Sequence, residues 1–150
     1  MRLISHRGNL NGPFSCKENH PDSINKVLNR GFDCEIDVHK IENKFYLGHD
    51  GPEYPIEREF LNQERLWVHC KNLEALGSLQ DLHANVFYHE NDPYTLTSKN
   101  IIWAYPNQPV NSSCVTVTLE YDPNINQECY GVCSDYVADY VALINAFKFN

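Results

Sequence analysis

The chain has 150 residues, of which 42% are hydrophobic and 21% charged, and 12 Lys and Arg face 20 Asp and Glu for a formal net charge of -8. That length buries one core and leaves no room for a second domain, and the acidic balance argues against nucleic acid or an anionic bilayer surface as partner. The longest uncharged stretch, residues 100–119, is broken by Pro106, Gln108, Pro109 and several Asn and Ser, so it makes no membrane span of roughly 20 apolar residues.

The N-terminal Met1-Arg2-Leu3-Ile4-Ser5-His6 turns polar before the apolar core of about 7 residues that a secretory signal requires. It reads instead as the first strand. Further runs rich in Val, Ile, Phe, Tyr and Trp follow at 34–39, 44–48, 66–70, 85–88, 100–105, 114–119 and 130–133, and each has strand character. Between them the apolar spacing predicts helices over 21–29 (Ile24, Val27, Leu28), 72–83 (Leu73, Leu76, Leu79, Leu82) and 136–147 (Val137, Val141, Ile144, Phe147). Gly31 stands as the stop signal of the first. Residues 44–48 read as the return arm of a hairpin. Alternating strands and helices predict an α/β fold with a mostly parallel sheet in one domain over residues 1–150. Strand centres fall only about 15 residues apart in the second half, so its crossovers are predicted to be single turns or irregular.

The six cysteines, at 16, 34, 70, 114, 129 and 133, form no Cys-x-x-Cys pair. Cys34, Cys70 and Cys114 are among those that fall inside strand-like runs, which reads as mostly buried, reduced thiols in a cytoplasmic protein.

Candidate chemistry gathers at the strand ends. In Ile4-Ser5-His6-Arg7-Gly8 an apolar strand delivers an imidazole and a guanidinium, and Gly8 lets the chain turn. In Cys34-Glu35-Ile36-Asp37-Val38 the two carboxylates lie two apart and so share one strand face. There they repel unless a hard cation sits between them. Leu47-Gly48-His49-Asp50-Gly51 then brings a second imidazole at the end of the hairpin arm. Two His, a carboxylate pair and an Arg are the parts for acid and base chemistry on a phosphate ester. Singly, each piece has a plain structural reading: a chance His-Arg-Gly, an exposed polar strand face, a turn. All seven His lie before residue 90, and residues 101–150 hold one of the 12 Lys and Arg. The first half therefore carries the chemistry and the second reads as scaffold.

The order of these pieces resembles the glycerophosphodiester phosphodiesterase family, within the superfamily of phosphatidylinositol phospholipase C-like barrels. The likeness runs over residues 4–51: His6-Arg7-Gly8, Glu18-Asn19, a helix ending Asn29-Arg30-Gly31-Phe32, Glu35-Ile36-Asp37-Val38, and the hairpin to His49-Asp50. It implies a compact, reduced TIM-type (β/α) barrel with short or missing helices in the second half, and an active site at the C-terminal strand ends. By position, His6 and His49 become the acid/base pair, and Glu35 and Asp37 the ligands of Mg²⁺ or Ca²⁺. Arg7 becomes a phosphate contact, and Glu18 lines the site near the metal or orients Arg7. Lipid metabolism is the setting this implies.

The chain also departs from the family. Where a strand usually ends Glu-x-Lys it has Trp67-Val68-His69-Cys70-Lys71. Lys71 fits a phosphate or leaving-group contact, and the third metal ligand stays open among His69, Glu90 and Glu120. No insertion follows His49-Asp50, which puts the substrate in question. Residues 131–136 resemble the last strand, leaving Asp135 near the rim, and 150 residues is short against the roughly 250 of such barrels. The function expected is a metal-dependent phosphodiester hydrolase with two histidines acting on a small phosphodiester, by hydrolysis or internal transfer. The alternative is a catalytically degenerate barrel that only binds phosphate. Thin helical cover in the second half would leave apolar strand surface bare, which argues for a homodimer.

Overall fold

β-Branched and aromatic side chains crowd the runs that become strands, and short polar stretches separate them. The computed structural model describes residues 1–148, with side chains as far as Asn145. Among the described residues it has strands β1 (Arg2–His6), β2 (Asp33–Ile41), β3 (Lys44–Leu47), β4 (Tyr54–Ile56), β5 (Leu66–Cys70), β6 (Asn85–Phe87), β7 (Tyr94–Leu96), β8 (Ile102–Ala104), β9 (Cys114–Val117) and β10 (Gly131–Ser134). The helices are α1 (Pro21–Asn29), α2 (Arg58–Leu61), α3 (Leu73–Ser78) and α4 (Asp139–Lys148), with a 3₁₀ turn at Ser15–Lys17.

All ten strands belong to one sheet. Its parallel run is β6, β5, β2, β1, β10, β9, β8, with β7 added antiparallel on β8. β2 is the hub. Its first half pairs with β1 on one edge and β5 on the other, and its last residues continue alone into the antiparallel β3–β4 arm.

Side chains alternate between two faces, and each face has its own core. On the convex face Cys34, Ile36, Val38, Leu66, Val68 and Cys70 pack against Ile24, Val27 and Leu28 of α1 and against Ala75, Leu79 and Leu82. α1 starts where expected: Pro21 takes the first turn, and His20 caps it by accepting the Asp22 N–H at 3.1 Å. On the concave face Ile4, Trp67, Phe87, Trp103, Val115, Val117 and Cys133 form a second cluster. The Trp67 ring lies 5.8 Å from Trp103, which stacks 4.6 Å from Phe87. Trp67 Nε1 donates to the buried Asp33 carboxylate at 3.1 Å. This aromatic plug fills the concave side and forms the floor beneath the strand ends.

The sheet curls without closing, and the expected TIM-type (β/α) barrel is corrected to an open, strand-rich mixed sheet. No ladder joins β6 to β7 or β8 among the described residues. The gap is bridged by the Ser98 N–H on the Val86 carbonyl at 2.8 Å and the Thr97 hydroxyl on Asn85 at 3.0 Å. The cause is connection length. A parallel step needs a crossover of about 10 to 12 residues or more, and between β7 and β8 the chain instead turns back antiparallel. Loops without helices join β8 to β9 and β9 to β10. Helical cover is therefore confined to the side of β1, β2, β5 and β10.

Other expectations shift at their edges. α3 stops at Ser78 where a helix to residue 83 was expected, because Gly77-Ser78 adds two poor helix formers. α4 begins at Asp139 rather than 136, and the side chain of Phe147 lies outside the described residues. β4, β7 and α2 had no sequence signal strong enough to mark them. Cys34, Cys70, Cys114, Cys129 and Cys133 are buried and unpaired, as the thiol reading expects, while Cys16 is exposed. No helix among the described residues is long and apolar enough to cross a membrane.

Trp67 is 1% exposed at the centre of the plug, so Trp67→Ala removes a large buried side chain and the hydrogen bond it gives Asp33. Urea unfolding is expected to show a loss of about 3–5 kcal/mol. A loss below about 1 kcal/mol would show that the plug is not the floor described.

Candidate active site

In a parallel sheet all C-terminal strand ends lie on one side, so register decides which of their side chains meet. Here His6 pairs with Glu35 across β1 and β2, Asp37 pairs with His69 across β2 and β5, and His69 with Phe87 across β5 and β6. On the other side of β1, Ser5 pairs with Ser134, which brings the next residues, His6 and Asp135, alongside each other. Period-two alternation turns Glu35, Asp37, His69 and Lys71 onto the concave face.

The centre is the carboxylate pair. The Asp37 side chain is 0% exposed and that of Glu35 3%. Asp37 Oδ2 accepts from Asn19 Nδ2 at 2.9 Å and faces Arg7 Nε at 3.0 Å. Its Oδ1 lies 3.2 Å from His69 Nδ1 and 3.7 Å from Lys71 Nζ. Glu35 Oε1 is 3.7 Å from the same His69 nitrogen, and Oε2 is 3.9 Å from His6 Nε2. Burial alone would raise the Asp37 carboxyl. The adjacent His69 imidazole, the Arg7 guanidinium and the Asn19 amide together outweigh it and hold Asp37 well below the usual carboxylate range.

The backbone is bent to make these contacts. Arg7 and Asn19 both sit at positive φ, 54° and 56°, a strained choice for non-glycine residues. Gly8 follows at φ 89°, and a Cβ there would lie 3.2 Å from Ser23 Cβ. As β1 turns away, Asn19 takes its place on the edge of β2, its Oδ1 accepting the Asp37 N–H at 2.9 Å.

His6 and His69 are oriented by buried or backbone partners. His6 Nδ1 donates to Asp135 Oδ1 at 2.8 Å, which leaves Nε2 facing Glu35. Burial lowers the His6 pKa, but Asp135 and Glu35 outweigh it and the net shift is upward. Asn9 Nδ2 reaches Asp135 Oδ1 at 2.7 Å and Glu18 Oε1 at 2.9 Å, and Glu18 Oε2 stands 3.5 Å from Arg7. His69 Nε2 donates to the His89 carbonyl at 2.8 Å, and its ring stacks on Phe87 at 5.1 Å. Nδ1 is thereby aimed at both carboxylates. His49 is the loosest of the three, with a side chain 40% exposed and Nδ1 donating to Asp50 at 2.7 Å. Its turn is nevertheless specified. Gly48 has φ 145°, a Cβ there would fall 2.1 Å from the Gly51 carbonyl oxygen, and His39 Nε2 donates to the Gly48 carbonyl at 2.9 Å.

These groups surround a cavity of about 400 Å³. His6, Arg7, Glu18, Glu35, His49, His69, Lys71, Glu90 and Asp135 line its polar side, and Trp103, Tyr105, Pro106, Val117 and Leu119 its apolar wall. Asp37 lies fully buried beneath. The sequence-predicted residues thus converge, with one correction: Glu120 is exposed beyond β9 and faces a different depression. Glu90 reaches the wall, where the Tyr88 hydroxyl binds it. Asn9 and Asn19 are the polar supports that motif reading passed over, although Asn19 stands in the Glu18-Asn19 pair. The partnership of Asp135 with His6 had no local signal, since 129 residues separate them.

Glu35, Asp37 and His69 each offer a donor atom within 4.8 Å of the others. Glu35 Oε2 and Asp37 Oδ1 are buried without a hydrogen-bond donor, and an unsatisfied buried acceptor costs about 1–3 kcal/mol, more when charged. A divalent cation among these three residues would offset the buried charge, so the residues fit one. No family model, curated protein or solved structure matches the chain.

In the metal-free protein His69 is raised from 6.5 to about 9, because its carboxylate partners outweigh the burial that would lower it. A raised base stabilises the fold fully below its unfolded value and loses that contribution as pH rises through its folded value. Asp37, lowered from 3.8, contributes above that value and loses it as pH falls. Stability in chelator is therefore expected to peak between about pH 4 and 6.5 and to decline toward pH 9. Urea midpoints across pH check this, and a wild-type decline that persists unchanged in His69→Gln would contradict it.

Proposed function

We propose that the chain is a metal-dependent phosphodiester hydrolase acting on a small phosphodiester, as the resemblance to glycerophosphodiester phosphodiesterases implies. The observation that carries this reading is the convergence of two histidines, two buried carboxylates with unsatisfied oxygens, and two cations on one cavity.

Glu35, Asp37 and His69 would hold the cation, which supplies charge neutralisation at the phosphate oxygens. Arg7 and Lys71 share that load from the strand ends, Arg7 positioned by Glu18 and Asp37. Asp135 orients His6 through Nδ1 and stabilises its charged form, so that Nε2 exchanges protons on the cavity side. At the open rim His49 Nδ1 donates to Asp50, which leaves its Nε2 free. One imidazole takes a proton from the attacking water or substrate hydroxyl, and the other gives one to the leaving alcohol. The apolar wall of Trp103, Tyr105 and Leu119 receives the substituent that does not react.

A second reading, a phosphate-binding domain without turnover, draws on one observation. His69 Nδ1, 3.2 Å from Asp37, can neutralise that carboxylate without any metal.

Turnover of bis(4-nitrophenyl) phosphate and of small glycerol-type diesters, with added divalent metal, tests the proposal. His6→Ala and His49→Ala are each expected to fall by about 10²–10⁴-fold, with a bell-shaped pH profile for the wild type. Asp135→Asn is expected to lower kcat more than it changes KM and to shift the limb assigned to His6. Full turnover by His6→Ala on every substrate the wild type cleaves would overturn the mechanism.

A further inference from the structure

The resemblance implies Mg²⁺ or Ca²⁺, ions that take oxygen ligands. The third donor here is a nitrogen. His69 stands beside Asp37 in the β2–β5 register, with Nδ1 3.2 Å from Asp37 Oδ1 and 3.7 Å from Glu35 Oε1. Its other nitrogen is committed as a donor to the His89 carbonyl, and Phe87 fixes the plane of the ring. A ring held in this way presents its Nδ1 lone pair to a metal, the outer-shell support usual for metal-binding histidines.

No spare carboxylate restores an all-oxygen set. Glu90 is bound by the Tyr88 hydroxyl, Glu120 faces elsewhere, and Lys71 Nζ sits 3.7 Å from Asp37 Oδ1 and reduces the negative charge on which Ca²⁺ affinity depends. Two buried oxygens, Glu35 Oε2 and Asp37 Oδ1, accept no hydrogen bond although charged groups lie 3.2–3.9 Å away, and so are open to a ligand.

We infer that Glu35, Asp37 and His69 form a cation site selective for late first-row divalent ions, Zn²⁺ and Co²⁺ ahead of Mn²⁺, over Mg²⁺ and Ca²⁺. Two carboxylate oxygens and one imidazole suit such borderline ions, whose affinities for mixed nitrogen and oxygen sites rise along the series to Cu²⁺. The inference deepens the proposed phosphodiesterase reading by naming its cation, but the binding it predicts can be measured without turnover.

The full chain, stripped with chelator, is titrated calorimetrically with each ion, and its visible spectrum is recorded with Co²⁺. One Zn²⁺ or Co²⁺ is expected to bind at least 100-fold more tightly than Mg²⁺, with Co²⁺ d–d bands and no thiolate charge-transfer band. His69→Asp is expected to lower the Zn²⁺-to-Mg²⁺ preference at least tenfold. Should that variant fail to fold, the imidazole nitrogen resonances of the wild type serve instead, with Zn²⁺ shifting His69 Nδ1 and leaving His20 and His83 in place. Equal or tighter Mg²⁺ or Ca²⁺ binding, no binding at millimolar metal, or Zn²⁺ that leaves His69 unshifted overturns the inference. Selective Zn²⁺ binding without phosphodiester turnover upholds the site and overturns the catalytic reading. Turnover that Mg²⁺ supports as well as Zn²⁺ does the reverse.

Discussion

Two carboxylates on one face of one strand, taken out of water together, set the terms for the rest of the structure. Glu35 and Asp37 lie two residues apart on β2, with side chains 3% and 0% exposed. Burying one charge without compensation is costly and burying two like charges more so, so the surrounding groups are arranged to offset them. Arg7, Asn19, His69 and Lys71 surround Asp37, and His6 and His69 flank Glu35. Arg7 and Asn19 hold strained backbone conformations to do so, and each strained position lies on a segment that leads to the carboxylates. Even with this company one oxygen of each carboxylate accepts no hydrogen bond, which supports the proposed cation.

The fold makes that arrangement rigid. β2 has partners on both edges, the convex face is packed against α1 and α3, and the aromatic plug of Trp67, Phe87 and Trp103 closes the concave side below. Site and plug alternate along the same strands: Trp67, then His69, then Lys71 on β5 and its end, and Ile4, then His6 on β1. The second half has no helices beside β8 and β9, yet the strand ends at β10, β1, β2, β5 and β6 still line up. A curled sheet open between β6 and β7 is therefore enough to build the cavity, because its carboxylates and cations at β1, β2, β5 and β10 come from consecutive neighbours.

The sequence made the first half legible because its signals are local. Pro21, Ile24, Val27, Leu28 and Gly31 define α1 within eleven positions, and the alternation in Cys34-Glu35-Ile36-Asp37-Val38 assigns each side chain to a face before any partner strand is known. His6, Arg7, His49 and Lys71 could be placed at strand ends for the same reason. What escaped depended on distant parts of the chain. Whether the sheet closes depends on how β6 meets residues 94–98, and the expectation of a (β/α) barrel failed there, where an antiparallel turn replaced a crossover. Asp135 reaches His6 across 129 residues, and its role follows only from the pairing of β1 with β10. The choice among His69, Glu90 and Glu120 was likewise a matter of register. The ladder of β2 with β5 sets His69 against Asp37 and leaves Glu120 outside.

The central claim is that the buried pair on β2 exists to hold a cation together with His69. Crystals grown with Zn²⁺ test it most directly through an anomalous difference map. A single strong peak within coordination distance of Glu35, Asp37 and His69 Nδ1 is the result predicted. A map with no peak there, while His69 Nδ1 still bridges the two carboxylates, would show that the imidazole alone serves as their counter-ion and would contradict the account.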